Sequence, residues 1–262
     1  MTRQALEFRN VTKIFRASHR GSTEVTAISD VSFQVAEGEV VSIIGPSGCG
    51  KSTCLNLGSG LDPATTGEIY VDGERVTRPI SHVAFMLQKD LLLPWRTIRE
   101  NVELGLEIQK LVTAESKARA IELLEKCHLG GFVNSYPHEL SGGMRQRAAL
   151  ARTLAVDPSV LLMDEPFSAL DAQTKMVLQQ DLGKTLAETG KTALFITHDL
   201  VEAIALSDRV LVMSQRPGTI IEEIVVEIPD RDNPMQRRQH ERVGGYVAAL
   251  MDLLHIGEAA EA

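Results

Sequence analysis

The stretch Gly45-Pro46-Ser47-Gly48-Cys49-Gly50-Lys51-Ser52-Thr53 constrains this chain more than any other. It follows the apolar run Val40-Val41-Ser42-Ile43-Ile44, which reads as a buried strand, and precedes Cys54-Leu55-Asn56-Leu57, which continues as a helix. Strand, glycine loop and helix form the context in which a GxxxxGK(S/T) match is a credible phosphate site. Glycines let successive backbone N–H groups point inward around phosphate oxygens. The helix N-terminus adds the positive end of its dipole. Lys51 has the reach for β- and γ-phosphates, and the Ser52 hydroxyl suits Mg²⁺. The competing reading is a plain glycine-rich turn.

Composition narrows the class. The 262 residues suffice for one large domain or a core with an inserted subdomain. Lys plus Arg is 27 and Asp plus Glu is 35, so the net charge is −8. A chain this acidic is a poor candidate for non-specific nucleic-acid binding. Cys49, Cys54 and Cys127 have no metal spacing, and an odd count without a leader pattern points to reduced thiols in a cytoplasm. No apolar run approaches the roughly 18–20 residues that span a bilayer, so membrane association is expected through a partner or a surface.

Along the chain, Leu6 to Phe8 and Ala27 to Val35 alternate as half-buried strands do. The polar segment Arg16 to Glu24 between them reads as a hairpin loop. Short strands are expected at Ile69–Val71 and Val83–Leu87, the latter followed by Gln88. From about Ile98 to Ala155 the period turns helical, over Glu100–Gln109 and Ala114–Cys127 and again after Ser141-Gly142-Gly143. This block reads as a helical insert. The apolar runs at 160–163, 192–196 and 210–213 suit a parallel sheet covered on both faces. Ile220–Ile228 reads as a closing hairpin strand, and a single amphipathic helix is expected over about Gln236–Leu254.

Two further stations carry chemistry. Val160-Leu161-Leu162-Met163 ends in Asp164-Glu165, which places Asp164 at the sheet edge beside the phosphate loop, where it can hold Mg²⁺ through its hydration shell. Glu165 is placed to polarise an attacking water; an acidic turn is the plainer alternative. Leu140-Ser141-Gly142-Gly143-Met144-Arg145-Gln146-Arg147 opens a helix with a second anion-binding N-terminus, or with an ordinary serine cap.

At this point the chain resembles the ABC-type ATPases. Leu140–Arg147 is similar to the signature motif of that family, and the two earlier stations to its Walker A and Walker B motifs. Gln88 matches the Q-loop glutamine, Ser168-Ala169-Leu170-Asp171 the D-loop, His198 the switch histidine, and Phe15 the A-loop aromatic that stacks on adenine. Taken alone, Gln88 also reads as a surface amide, Phe15 as core, and Asp171 as a helix cap. His198 alone reads as a surface or cap residue. It is the ordered set that favours the family.

The resemblance implies an α/β fold: a P-loop NTPase (ABC ATPase) core with an N-terminal antiparallel β-subdomain and an inserted helical subdomain. The expected divisions are 1–91 (β-subdomain and first part of the core), 92–157 (helical subdomain), 158–228 (second part of the core) and 229–262 (C-terminal helical tail). It implies ATP and Mg²⁺, with nucleotide held by Phe15 and by Gly45, Pro46, Ser47, Gly48, Cys49, Gly50, Lys51, Ser52 and Thr53. Ser141, Gly142, Gly143 and Asp171 are implied to bind nucleotide as well, and across a homodimer Ser141 and Gly143 would reach the ATP of the second copy. The metal falls to Ser52, Asp164 and Gln88. Catalytic roles fall to Glu165 as base, His198 on γ-phosphate and water, Lys51 on phosphate charge, and Gln88 as sensor.

The segment QKDLLLPWRTIRENVELGLE, with RPGTIIEEI later, is similar to the nitrate/sulfonate/taurine import subfamily. That implies two membrane permease subunits, a substrate-binding protein, no nucleic acid, and a place at the cytoplasmic face of the cell membrane. Leu91-Leu92-Leu93-Pro94-Trp95 is expected to dock a permease helix, with anchoring of the insert as the alternative. The rival functions are a lipid-transport or exporter ATPase and a soluble ABC ATPase. The nucleotide motifs carry no information about the transported molecule.

Overall fold

A computed structural model describes residues 3–16, 24–168 and 170–256. Residues 17–23 of the expected hairpin loop over 16–24, and Ala169 of the D-loop match, lie outside the described residues.

Two sheets carry the fold. Strands β1 (Gln4–Phe15) and β2 (Val25–Ala36) pair antiparallel. With β4 (Thr66–Val71) and β5 (Glu74–Arg75) they form a four-stranded antiparallel sheet in the order β2-β1-β4-β5. Alternation along β1 and β2 buries Leu6, Phe8, Phe33 and Val35 on one face, as the period of two requires.

The second sheet runs β10-β9-β3-β8-β7-β6. Its members are β3 (Val40–Ile44), β6 (Val83–Met86), β7 (Val160–Asp164), β8 (Thr192–Ile196), β9 (Arg209–Met213) and β10 (Ile220–Val225). All neighbours are parallel except the β9–β10 pair. β3 and β8 are buried at every position, because a parallel sheet is covered on both faces. Helix α1 (Lys51–Gly58) inserts Cys54, Leu55 and Leu57 into an apolar cluster that contains Phe8 of one sheet and Ile43 and Leu162 of the other. The two sheets therefore share one core with α1.

The helical insert comprises α2 (Ile98–Ile108), α3 (Ala114–Lys126), short 3-10 turns at Gly130–Phe132 and Pro137–Glu139, and α4 (Gly142–Ala155). Thr97 and Glu100 form a capping box, the Glu100 carboxylate accepting from the Thr97 amide at 2.7 Å. Such caps satisfy helix-end donors and contribute about 1 kcal/mol. Buried Asn101 accepts from the Leu93 amide at 2.7 Å and returns a bond to its carbonyl at 3.1 Å. It straps the segment before α2 onto the insert.

Helices α5 (Ala172–Thr189) and α6 (Leu200–Leu206) complete the core. The C-terminal segment departs from the expected single helix. It forms α7 (Pro234–Arg237) and α8 (Val243–Leu253). At the end of α7 Arg237 and Arg238 turn inward to the Ala205 carbonyl and the Gln179 side chain, and Gly244-Gly245 gives the start of α8 low helix propensity. The last strand also stops at Val225. Val226 and Ile228 pack in a cluster with Leu250 of α8 instead. Among the described residues no helix is long and apolar enough to cross a membrane.

Candidate active site

Strand register brings the chemical stations to one edge. Ile43 lies beside Ile196, and Asp164 lies beside the same residue. The chain therefore leaves β3 into the glycine loop, β7 into Glu165, and β8 into Thr197-His198 at the same level of the sheet. This is the carboxyl edge, where open α/β sheets bind ligands.

The loop from Gly45 to Gly50 turns sharply enough that Gly50, with φ 108°, caps α1. A Cβ there would stand 2.4 Å from Ile28 Cγ2, so only glycine lets the loop lie against β2. The Lys51 ammonium donates to the Gly45 and Pro46 carbonyls at 2.8 and 2.9 Å. Cys49 is buried, while Ser47, Gly48, Lys51, Ser52 and Thr53 line a cleft of about 290 Å³. Pro46 faces a second cleft, shared with Met213 and Leu254.

Phe15 stands at the mouth of the first cleft, 42% exposed, with Lys13 Nζ 5.0 Å from its ring centre. The reading of Phe15 as core is therefore set aside. A flat, half-exposed ring at the rim of a phosphate loop suits stacking on a base.

The acidic pair divides in two. Asp164 is half-buried and bonded to the Ser52 hydroxyl. Burial raises its carboxyl above the usual range, the Ser52 bond opposes this, and the Glu165 charge adds to the rise. A hydroxyl and a carboxylate side by side are hard oxygen donors, the set Mg²⁺ takes beside phosphate oxygens and water. Among the described residues no three His, Cys, Asp or Glu side chains gather into a complete metal cage. The pair thus fits a cation that takes its other ligands from a nucleotide.

Glu165 turns into the cleft instead. Its φ of 47° is a left-handed value, uncommon outside glycine. Its amide donates to the Ile196 carbonyl at 3.1 Å, which holds the strained turn. One carboxylate oxygen accepts from Gln88 Nε2 at 3.1 Å, and the other lies 3.5 Å from His198 Nδ1. Gln88, Glu165 and His198 are thus assembled from three separate strand ends. The Gln88 amide is engaged with Glu165 rather than with the Ser52–Asp164 pair.

Ser141, Gly142 and Gly143 are not among the residues lining this cleft. Ser141 caps α4, accepting from the Met144 amide at 3.3 Å, and is exposed together with Gly142. Asp171 likewise caps α5, through the Thr174 amide at 3.0 Å. Its capping contacts with Thr174, side chain first, hold the exposed carboxyl below its ordinary value. Within one chain the start of α4 therefore lies outside the lining of the phosphate-loop cleft.

Several participants carry no motif of their own. Arg216 lines the cleft and donates from Nε to the Gly48 carbonyl at 3.0 Å. The adjacent Gly218 is pressed against the loop so closely that a Cβ would fall 1.9 Å from the Cys49 carbonyl oxygen. From α4, Arg145 meets the Asp90 carboxylate at 3.0 Å, while Arg152 donates to the Asp90 and Leu91 carbonyls at 2.6 and 2.9 Å. These bonds tie the segment after Gln88 to the helix that Ser141 opens. The seven-residue step from Arg145 to Arg152, two turns on one helix face, was the available signal.

The leucine cluster splits. Leu92 is 8% exposed and belongs to the core of the insert, whereas Trp95 is 70% exposed and Leu91 53%. Anchoring is therefore correct for Leu92, which cannot serve as a docking surface.

A family model described as ABC transporter matches residues 28–168. The aliphatic sulfonates import ATP-binding protein SsuB of Bacillus anthracis is 46% identical over 196 residues, 75% of this chain and 77% of the relative. The nitrate import ATP-binding protein NrtD of Synechocystis is 44% identical over 233 residues, 88% of this chain and 86% of the relative. Among solved structures, the ATP-binding cassette MJ0796, a dimer in a post-hydrolysis state with ADP and Pi, matches with a TM-score of 0.76 and 35% identity. The match covers 86% of this chain and 100% of that one.

Proposed function

The chain belongs to the ABC transporter family of ATP-hydrolysing subunits, and on that premise we propose that it powers an importer. Two copies would close around ATP and drive a small solute through two membrane permease subunits, fed by a substrate-binding protein. The solute would be nitrate-, sulfonate- or taurine-like, or a related small organic compound. The observation that carries the reading is the Gln88–Glu165–His198 group, whose Glu165 lines the cleft of Lys51, with Ser141–Gly143 outside that lining.

In this mechanism the glycine loop and Lys51 neutralise phosphate charge, exchanging the Gly45 and Pro46 carbonyls for phosphate oxygens. Phe15 stacks on the base. Ser52 and Asp164 would hold Mg²⁺, which would supply positive charge beside the phosphates. Glu165 accepts a proton from the attacking water while Gln88 and His198 fix its carboxylate. Ser141 and Gly143 approach the ATP of the second copy, so closure depends on the γ-phosphate and is lost on hydrolysis. Gln88 and the bonds from Arg145 and Arg152 transmit that change to the insert and to exposed Trp95.

Reconstitution in vesicles with a candidate permease pair tests the proposal. Solute uptake that requires ATP, this chain and a binding protein is the expected result. Full ATPase activity without association with any membrane subunit would remove the transport reading and leave the ATPase.

A further inference from the structure

His198 is followed by a helix of only seven residues, α6, and its own side chain is largely exposed. Its position is set from below. On one side Thr197 is buried; its hydroxyl accepts from the Asp199 amide at 3.0 Å and bonds the Glu202 carboxylate. On the other side Asp199 caps α6 by accepting from the Glu202 amide at 3.0 Å. Both flanks of His198 therefore lead to Glu202, a carboxylate only 2% exposed.

A carboxylate in that position requires a partner. Lys175 supplies it, its ammonium lying 2.6 Å from Glu202 and 2.8 Å from Asp199. Gln179 donates to Glu202 at 2.8 Å and accepts from Arg238 of the C-terminal segment. Lys175 lies one turn into α5, with its amide bonded to the carbonyl of Asp171, the residue that caps that helix. One ammonium thus joins the start of α5 to the start of α6 through a buried chain of side chains.

We propose that Lys175 is a positioning residue that sets where His198 stands relative to Glu165 and couples it to the Asp171 end of α5. The inference rests on the ATPase reading above. Were the Lys175 network only a staple for α6, it would be equally effective further along that helix. Instead its acceptors are the cap residue beside His198 and the carboxylate bonded to Thr197.

The test is steady-state ATP hydrolysis by the full chain. Lys175→Met is expected to lower kcat at least tenfold with KM for ATP within threefold of wild type. Lys175→Arg should restore at least half of kcat, and Lys175→Met added to His198→Ala should cost little more than His198→Ala alone. If Lys175→Met does not fold, Asp199→Asn, which keeps the helix cap, must show the same kcat loss. A kcat within twofold of wild type, or additive losses in the double variant, overturns the proposal. Wild type and Glu165→Gln serve as controls. An inactive wild type, or an active Glu165→Gln, would defeat the underlying reading rather than the role of Lys175.

Discussion

The Gln88 side-chain amide donates to Glu165 Oε2 at 3.1 Å, joining the chain beyond β6 to the chain beyond β7. Gln88 also begins the segment that Asn101, Arg145 and Arg152 bind to the helical insert. The carboxylate that faces the cleft is thereby in direct contact with the route to the exposed Trp95 surface. A change at Glu165 has a short mechanical path to that surface.

Glu165→Gln keeps the shape of the side chain and one acceptor oxygen for the Gln88 amide, and removes the proton acceptor. Turnover should fall by roughly 10²–10⁴-fold, the usual contribution of a positioned base. ATP should then accumulate a closed dimer, visible by size-exclusion chromatography with light scattering. Turnover near the wild-type rate would remove Glu165 as base.

The outward placement of Ser141 predicts complementation. Lys51→Ala and Ser141→Ala copies should each be inactive alone. Mixed, they form a dimer in which the Lys51 of one copy meets the Ser141 of the other, and activity should return in part. A mixture no more active than its components would show that the site is not shared.

Arg216→Ala removes the bond to the Gly48 carbonyl and a cation from the cleft rim. A hydrogen bond of about 1 kcal/mol corresponds to roughly a fivefold rise in KM for ATP, with kcat preserved. Steady-state kinetics separates this from a stability effect.

Leu92→Asp and Trp95→Ala should part company. Burying a carboxylate at Leu92 costs several kcal/mol, so Tm should fall by about 5 °C or more. Trp95→Ala should leave Tm and basal ATPase activity unchanged and weaken recovery with membrane subunits. Equal effects on Tm would contradict the split in burial.

Burial pushes the Cys54 and Cys127 thiols up to about 12, from an ordinary value of 9.0. At pH 8 the folded protein should leave both unmodified by a thiol reagent that labels them after unfolding. Because the folded pKa lies above the unfolded one, this contribution to stability is complete below pH 9 and declines between pH 9 and 12. A denaturant midpoint that rises across that window would refute it.

Much of this was legible in local sequence. The phosphate loop needs glycines where backbone N–H groups converge, the parallel strands need unbroken apolar runs, and Ser141 and Asp171 are cap residues by composition. Each depends on neighbours in the chain, so residue type and spacing suffice, and the family follows from their order. Three relations depended on the tertiary structure. The bond from Gln88 and the approach of His198 to opposite oxygens of Glu165 exist because β6, β7 and β8 end at one level of the sheet. Leu92 and Trp95, three residues apart, parted because Asn101 binds the loop between them by its backbone. Arg216 and Lys175 announce nothing in sequence, since a cation's partner is defined by distance in space. The loop proposed to hold phosphate was determined locally; what sets Glu165 beside it was determined by packing.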